Sequence, residues 1–447
     1  MADFATVPLV IVEGFLSSTG SVLWGNFETY LNCSNGGPGY LQRRTIFVSI
    51  GPVSSLHDRA CELFYALKGG TVDYGVDHSR RHSHRRFGRT HSAGLCPEWS
   101  QEHPLHFFGH SIGGPTIVKM QWLIAQGFFG ANMHPSMVSS VTTVSAPFRG
   151  TQLVYTLGER TDGAPAVCPI SVGAAVAKMV HVASYLSPLL PRIFDMHTES
   201  RALSYRETTF ISLLRQLYRS DWAEGRDATP FDMTFQGAEE RESAGEGIPH
   251  DGTFYRSYVA CMTRRIRQTD VKHAPPLKYL LNLPLYVCSR LMGSFDFAVL
   301  RPVPAFMRAH PTATLATLIG TMDSANGLVH STQGVFEATV VSQEEVGENH
   351  WANDGVVPTF SQFHPFGCRE SRCHHCPLSG YASPNEGHRK HLVGPGIWDV
   401  HALDNCDHFS LVPLWMATAK QKQFWRDVGA WLVDIDDRRA RSIVQYE

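Results

Sequence analysis

A chain of 447 residues, 43% hydrophobic and 18% charged, is long enough for one folded core carrying a substantial insertion. Its formal net charge of -2 gives no electrostatic reason to expect nucleic acid as a partner. The 23 histidines are many for this length, and they cluster.

Residues 7–13 form a short apolar run. They lack the basic flank of a secretory leader and read as a first strand. A cytoplasmic location is therefore expected, with secretion as the alternative. No window is apolar enough to predict a transmembrane segment; 278–300 comes nearest but is broken by Arg290 and Asp296. Ten cysteines without an export signal read as thiols rather than as a disulfide framework. Further strands are predicted at 45–50, 105–109 and 140–145, each rich in Val, Ile or Phe and separated by long crossovers. That alternation predicts an α/β fold with a mostly parallel sheet and helices on both faces. Residues 165–195 are small, apolar and helical in pattern. Pattern alone favours a buried core helix, with a mobile amphipathic lid as the functional alternative. Residues 236–252 are polar and glycine-containing and read as a loop. Strand character returns at 254–261 and 337–341.

The most informative segment is Leu105-His-Phe-Phe-Gly-His-Ser-Ile-Gly-Gly114. An apolar run ends in Gly109-His110-Ser111-Ile112-Gly113, and a helical pattern follows. This is the sequence form of a nucleophile elbow, in which a serine projects from a strand-to-helix turn too crowded for side chains two residues either side. Ser111 is then a candidate nucleophile, with the helix N-terminus aimed at the same point. A serine nucleophile needs a histidine base and an orienting carboxylate, in the order serine, acid, histidine on this scaffold. Asp354, in the turn Asn353-Asp354-Gly355, fits the acid, and His408, in Asp407-His408, fits the base. Either alone reads as an ordinary turn residue; the conjunction in the required order carries the signal. An oxyanion hole would take one backbone N–H from Ile112 and one from Phe15, after the first strand.

A second constellation runs from Asp58 through Gly69-Gly-Thr-Val-Asp-Tyr-Gly75 to Asp77-His78-Ser-Arg-Arg-His82-Ser-His84 and Arg85-Arg-Phe-Gly-Arg89. By itself this is a basic, histidine-rich loop, open to three readings: a solvated surface, an anion patch, or a metal site.

These blocks resemble the Geobacillus and staphylococcal lipases. The segment 58–89 resembles that family run for run, and so do Val141-Thr-Thr-Val-Ser-Ala-Pro147 with Gly150-Thr151, His350-Trp351, Asn353-Asp354-Gly355, and Trp398 with Asp407-His408. The match is poor over 155–225 and 262–345. The resemblance implies an α/β-hydrolase fold in one domain spanning 1–447. It carries a zinc-holding insertion (58–90 with 220–250) and a helical lid in the region 160–200. It implies a triacylglycerol lipase or carboxylesterase acting on lipid or long-chain esters, at a lipid interface. Ser111, Asp354 and His408 are the implied triad, and Phe15 and Ile112 the oxyanion hole. Structural zinc would be held by Asp58, His78, His84 and Asp227, with His82 a spare surface residue. Asp227 is reached by aligning Phe231-Asp-Met-Thr234 and Gly237-Ala238 with a family block. A thioesterase, phospholipase or acyltransferase on the same scaffold, a non-catalytic lipid-binding protein, and metal-dependent hydrolysis at the histidines are the rival readings.

Three departures stand out. Glu13 occupies the place of the family's histidine beside the oxyanion hole, where a carboxylate is unfavourable unless turned away or neutralised. Ser410 and Trp415 stand where the family has calcium-binding carboxylates, so calcium is not expected. Cys368, Cys373, His374, His375 and Cys376 form a local cluster that the resemblance does not account for; Cys368, Cys373, His375 and Cys376 could hold a second metal.

Overall fold

The computed structural model describes residues 6–16, 20, 24–34, 42–191, 195–267, 271–308, 348–368, 371–376, 393–411 and 418–444. The strand expected at 337–341 and Trp415 lie outside these residues. The described strands, in chain order, are β1 (Leu9–Val12), β2 (Thr45–Phe47), β3 (Gly70–Asp73), β4 (Phe87–His91), β5 (Leu105–His110), β6 (Val138–Val144), β7 (Phe254–Cys261), β8 (Arg264–Arg265), β9 (His273–Ala274), β10 (Cys373–Cys376) and β11 (Trp398–Asp404). Seven of them form one sheet in the order β10-β11-β7-β6-β5-β1-β2. Every neighbouring pair in it is parallel. The two small antiparallel ribbons, β3-β4 and β8-β9, lie outside it. The chain thus has an α/β-hydrolase-like architecture.

The central strands β5 and β6 are buried along their whole length, as a parallel sheet covered on both faces requires. Alternation along each strand sends successive side chains to opposite faces. Val10, Val12 and Phe107 pack with Leu63, Phe64 and Leu67 of the helix Leu56–Lys68 and with Ile117, Met120 and Ile124 of the helix Gly113–Ala125. Leu9, Ile11 and Phe108 pack with Trp24, Phe27 and the C-terminal helix Ala419–Val444. There Trp425 lies 4.5 Å from the Phe27 ring and 4.9 Å from Phe108, an aromatic cluster that covers this face.

The turn after β5 is built on close backbone approach. Ser111 has φ 55, a left-handed conformation strained for a residue with a side chain. A Cβ on Gly109 would lie 2.5 Å from the Gly114 nitrogen, and one on Gly113 would lie 2.1 Å from the Val12 carbonyl oxygen. Only glycine fits either place, and β5 can turn sharply into its helix against the end of β1.

Several local expectations are corrected. Residues 235–243 are a helix, not a loop: Thr234 caps it by accepting from the Gly237 amide at 2.9 Å, and Phe235 and Ala238 anchor its inner face. The histidine-rich segment is a short helix, Val76–His82, followed by β4, rather than a loop. Within 165–195 lies the helix Val172–Leu186, capped by Ser171. It is not a core helix: Ala174, Ala177, Val180, His181 and Ser184 are buried, while Val172, Met179, Val182 and Leu186 are exposed. No helix among the described residues is long and apolar enough to cross a membrane.

Gly113→Ala should cost about 1–3 kcal/mol or more, because the added methyl must displace backbone rather than a mobile side chain. Urea unfolding measures this; a loss below about 0.5 kcal/mol, the scale of an ordinary surface change, would refute the close approach.

Candidate active site and metal centre

Ser111 sits at the carboxyl end of β5, where open α/β sheets place their ligands. Its amide donates to the Val144 carbonyl at 3.0 Å, which ties the turn to β6. Gly14 faces it: a Cβ there would lie 2.9 Å from Ser111 Cβ and 3.4 Å from Oγ. Glycine at 14 therefore lets the loop after β1 pass directly over the serine. The next residue on that loop is Phe15. The backbone amides of Phe15 and Ile112 have no hydrogen-bond partner among the described residues. Such orphan donors are costly unless something accepts from them.

Asp354 and His408, which are 54 positions apart, meet in the fold. His408 Nδ1 lies 2.9 Å from Asp354 Oδ2, and the His408 amide donates to the Asp354 carbonyl at 2.9 Å. The other carboxylate oxygen accepts from the amides of Val356 and Val357 at 2.9 and 2.7 Å. This Asx-type turn orients Asp354, and the Nδ1 contact leaves His408 Nε2 as the basic nitrogen. Asp354 is 0% exposed, His408 3% and Ser111 6%. No hydrogen bond joins Ser111 Oγ to His408 in this conformation. His110, beside Ser111, places its ring 5.0 Å from the His408 ring and its Nε2 2.9 Å from the His408 carbonyl. Burial, reinforced by His408, pushes His110 down to about 3, so it is neutral and its Nε2–H donates to that carbonyl. Asp407 engages its own turn, accepting from the Phe409 amide and the Ser410 hydroxyl at 3.0 and 2.8 Å.

Glu13 does not intrude on this site. Side chains 9, 11 and 13 share one face of β1 and its extension, that of the C-terminal helix. Glu13 is buried there, accepting from the Trp24 indole N–H at 2.8 Å and the Gly20 amide at 3.2 Å.

Arg59 is a structural residue that no motif marks. Fully buried, it donates to the Glu13 carbonyl at 2.6 Å, the Gly51 carbonyl at 2.7 Å and Thr116 Oγ1 at 3.0 Å. Burial lowers it to about 10, against Glu62 and Glu13, so it stays a cation at neutral pH. The only sequence signal was its place beside Asp58.

Phe15 lies between two apolar groups. On one side are Leu56, Ile112 and Met233; on the other are Val53, Met196, Trp222 and the buried face of the helix Val172–Leu186. Its ring stacks on Trp222 at 6.2 Å.

Asp58, His78, His84 and Asp227 converge, with one donor atom from each all within 4.8 Å of one another. His78 Nε2 lies 3.3 Å from both Asp58 Oδ1 and Asp227 Oδ2, and His84 Nε2 lies 3.4 Å from Asp227 Oδ2. Asp58 Oδ1, His78 Nε2 and His84 Nε2 are buried yet lack a hydrogen-bond partner. His84 Nδ1 is 2.8 Å from the Arg85 carbonyl, which fixes the tautomer with a lone pair on Nε2. Orphaned buried donors, two carboxylates and two imidazoles fit a tetrahedral divalent cation. Arg201 adds a neighbouring charge, 3.0 Å from Asp58 Oδ2 and also paired with Asp227. Burial would raise Asp227, yet His78, His84 and Arg201 hold it well below the usual carboxylate range. His82 is outside the group.

The family model described as lipase-like, C-terminal domain matches residues 7–296. Among curated relatives, a lipase of Staphylococcus hyicus is 27% identical over 320 residues, covering 66% of this chain and 46% of that protein. Lipase 1 of Staphylococcus aureus (strain NCTC 8325 / PS 47) is 32% identical over 168 residues, covering 32% of this chain and 24% of that protein. The matches thus span less than half the length of these relatives. The crystal structure of Staphylococcus hyicus lipase superimposes with a TM-score of 0.67 at 21% identity, covering 97% of each chain. EstA from Clostridium botulinum gives 0.58 at 21% identity, covering 96% of this chain and 87% of that one. Lipase 1 from Pelosinus fermentans gives 0.56 at 22% identity, covering 95% and 99%. At these identities the structural likeness speaks for the fold. With the sequence match running from 7 to 296, well over half of its length, the chain belongs to the lipase-like, C-terminal domain family.

Proposed function

We propose that the protein is a serine carboxylic-ester hydrolase acting on lipid or long-chain esters, in the first place a triacylglycerol lipase. The observation that carries this reading is the strained Ser111 with two unpartnered amides, Phe15 and Ile112, on the loops beside it. The names of the relatives and the fold support the same class.

In this reading His408 Nε2 takes the proton of Ser111 as its oxygen attacks the ester carbonyl. The Phe15 and Ile112 amides donate to the developing oxyanion. Asp354 holds the imidazole and balances the imidazolium; it does not itself take the proton. His408 then protonates the departing alcohol, leaving Ser111 acylated. Water, deprotonated by His408, releases the acyl group by the same path. The missing Ser111–His408 hydrogen bond accords with a site that tightens only around its substrate.

The helix Val172–Leu186 would serve as the lid. Its inner face covers Phe15, its outer face is apolar, and the triad is nearly inaccessible in this conformation. Displacing it would open a path for an acyl chain and present apolar surface to a lipid interface. Asp58, His78, His84 and Asp227 would hold zinc. A fully ligated ion of this kind contributes folding energy and leaves no open position for water. It would pin the segments that carry His78, His84 and Asp227 to the helix Leu56–Lys68. The burial of Glu13 against Trp24 keeps its carboxylate off the Phe15 and Ile112 amides, which supports catalysis over a non-catalytic binding role.

Hydrolysis of p-nitrophenyl esters of graded chain length tests the whole reading. Activity should rise with chain length; activity confined to short chains would leave a general esterase. Ser111→Ala should lower kcat/KM about ten-thousandfold to a millionfold, and Asp354→Asn about ten-thousandfold, with unchanged melting temperatures. Equal rates in wild type and Ser111→Ala would end the serine mechanism. Chelation or Asp227→Ala should lower the melting temperature and release metal, with activity decaying only as the protein unfolds. Instant loss of activity on chelation, with Ser111→Ala still active, would point to metal-dependent hydrolysis instead.

A further inference from the structure

We infer that a second metal ion, a zinc-type cation, is held by His364, Cys368, Cys373 and His375 at the edge of the main sheet. The sequence alone grouped Cys376 with Cys368, Cys373 and His375; strand geometry corrects that set. Along β10, alternate residues point to opposite faces. Cys373 and His375 therefore share one side, while His374 and Cys376 turn toward Asp399 of β11, at 3.3 and 3.5 Å. The fourth member of the cluster is His364, which follows directly on the helix Thr359–Phe363.

Three of the four donor atoms already sit close to the edge lengths of a tetrahedron. His364 Nε2 and His375 Nε2 are 3.3 Å apart, and Cys368 Sγ is 3.3 and 3.6 Å from them. All four donors, Cys373 Sγ included, lie within 4.8 Å of one another. Zinc bonds of about 2.0–2.1 Å to nitrogen and about 2.3 Å to sulfur, at tetrahedral angles, require edges of about 3.3–3.4 Å between nitrogens and about 3.6 Å from nitrogen to sulfur. His364 is also oriented for the task. It is buried, and its Nδ1 lies 2.8 Å from the Phe366 carbonyl, so that nitrogen carries the hydrogen and Nε2 presents a lone pair to the cluster. None of the ten cysteines is in a disulfide, and a bound cation would displace the proton from each thiol it takes up.

The place in the fold gives such an ion a purpose. β10 is four residues long and, among the described residues, pairs with β11 alone, a weak edge with little apolar surface to bury. A cation bridging it to His364 and Cys368 would anchor it to the segment that also carries Asp354. β11, its neighbour, leads into the turn that carries His408. The ion would thus brace both residues from behind, without touching substrate. Its two thiolates make it a softer site than the carboxylate–imidazole set at Asp58, and that difference makes the two sites separable by spectroscopy.

Reconstitution of the full chain with cobalt(II) tests this directly, since only a thiolate-bearing site gives a near-ultraviolet thiolate-to-cobalt charge-transfer band. Wild type should show the band and bind two metal equivalents per chain. Cys368→Ser and Cys373→Ser should each lose the band and one equivalent, whereas Cys376→Ser and Asp227→Ala should keep the band. No band in wild type, metal content unchanged by Cys368→Ser, or a band abolished by Cys376→Ser would each overturn the assignment. Should the Cys368 and Cys373 variants fail to fold, the wild-type spectrum with the Cys376→Ser comparison still decides.

Discussion

One buried guanidinium holds the working parts of this molecule in register. Arg59 donates to the Glu13 carbonyl before the Phe15 loop, to the Gly51 carbonyl, and to Thr116 on the helix that follows Ser111. A cation this deeply buried is tolerable only because its hydrogen bonds are made to rigid acceptors and because Glu62 and Glu13 lie near. Removing it would take a donor from the Glu13 and Gly51 carbonyls in the interior, a cost of about 1–3 kcal/mol for each group left unsatisfied, while the Thr116 hydroxyl would keep its bond to the Ile112 carbonyl. It stands next to Asp58 on the same helix, so the Asp58–His78–His84–Asp227 cluster and the serine turn share a single support.

The elbow adds steric constraint to this electrostatic one. The backbones around Gly109, Gly113 and Gly14 come so close that a methyl group at any of them would collide with main chain or with Ser111. Such crowding positions the Phe15 and Ile112 amides without help from flexible side chains. In the proposed mechanism, donors set in advance need no reorganisation when charge develops, and preorganisation of that kind is where oxyanion stabilisation gains its magnitude. Glu13 shows how finely the arrangement depends on strand parity. One residue earlier or later, its carboxylate would emerge on the other face of the sheet.

The peripheral parts are held by other means. The helix Val172–Leu186 rests on Phe15, Val53 and Met196 by a narrow apolar face, while its wide outer face is left to solvent. A surface of that kind is held weakly compared with the aromatic cluster around Trp425, and elements of low local stability are the ones that move. Where apolar burial is scarce, at the histidine-rich segment and at the β10 edge, clusters of metal-ligating side chains occur instead.

What the sequence determined by itself was local. Gly-His-Ser-Ile-Gly between an apolar run and a helical pattern specifies the turn at Ser111, because only that spacing of glycines survives the crowding. The runs at β1, β5, β6 and β7, separated by long crossovers, predict a parallel, twice-covered sheet; polar members such as His106 and Arg256 find their partners, Ser140 and Asp399, only once that sheet is assembled. Asp58, His78 and His84 were visible as ligand types, and His408 and Asp354 as residues of the right kind in the right order. The rest was decided by tertiary structure. The helix at 235–243 draws on the packing of Phe235 and Ala238, which its polar composition concealed. The inward support from Arg59, the orientation of Glu13 and the inclusion of His364 in place of Cys376 depend on which face of a helix or strand meets a distant segment. Facing is a property of assembled elements: residues such as Asp354 and His408, far apart along the chain, come to 2.9 Å only once the sheet has set its order.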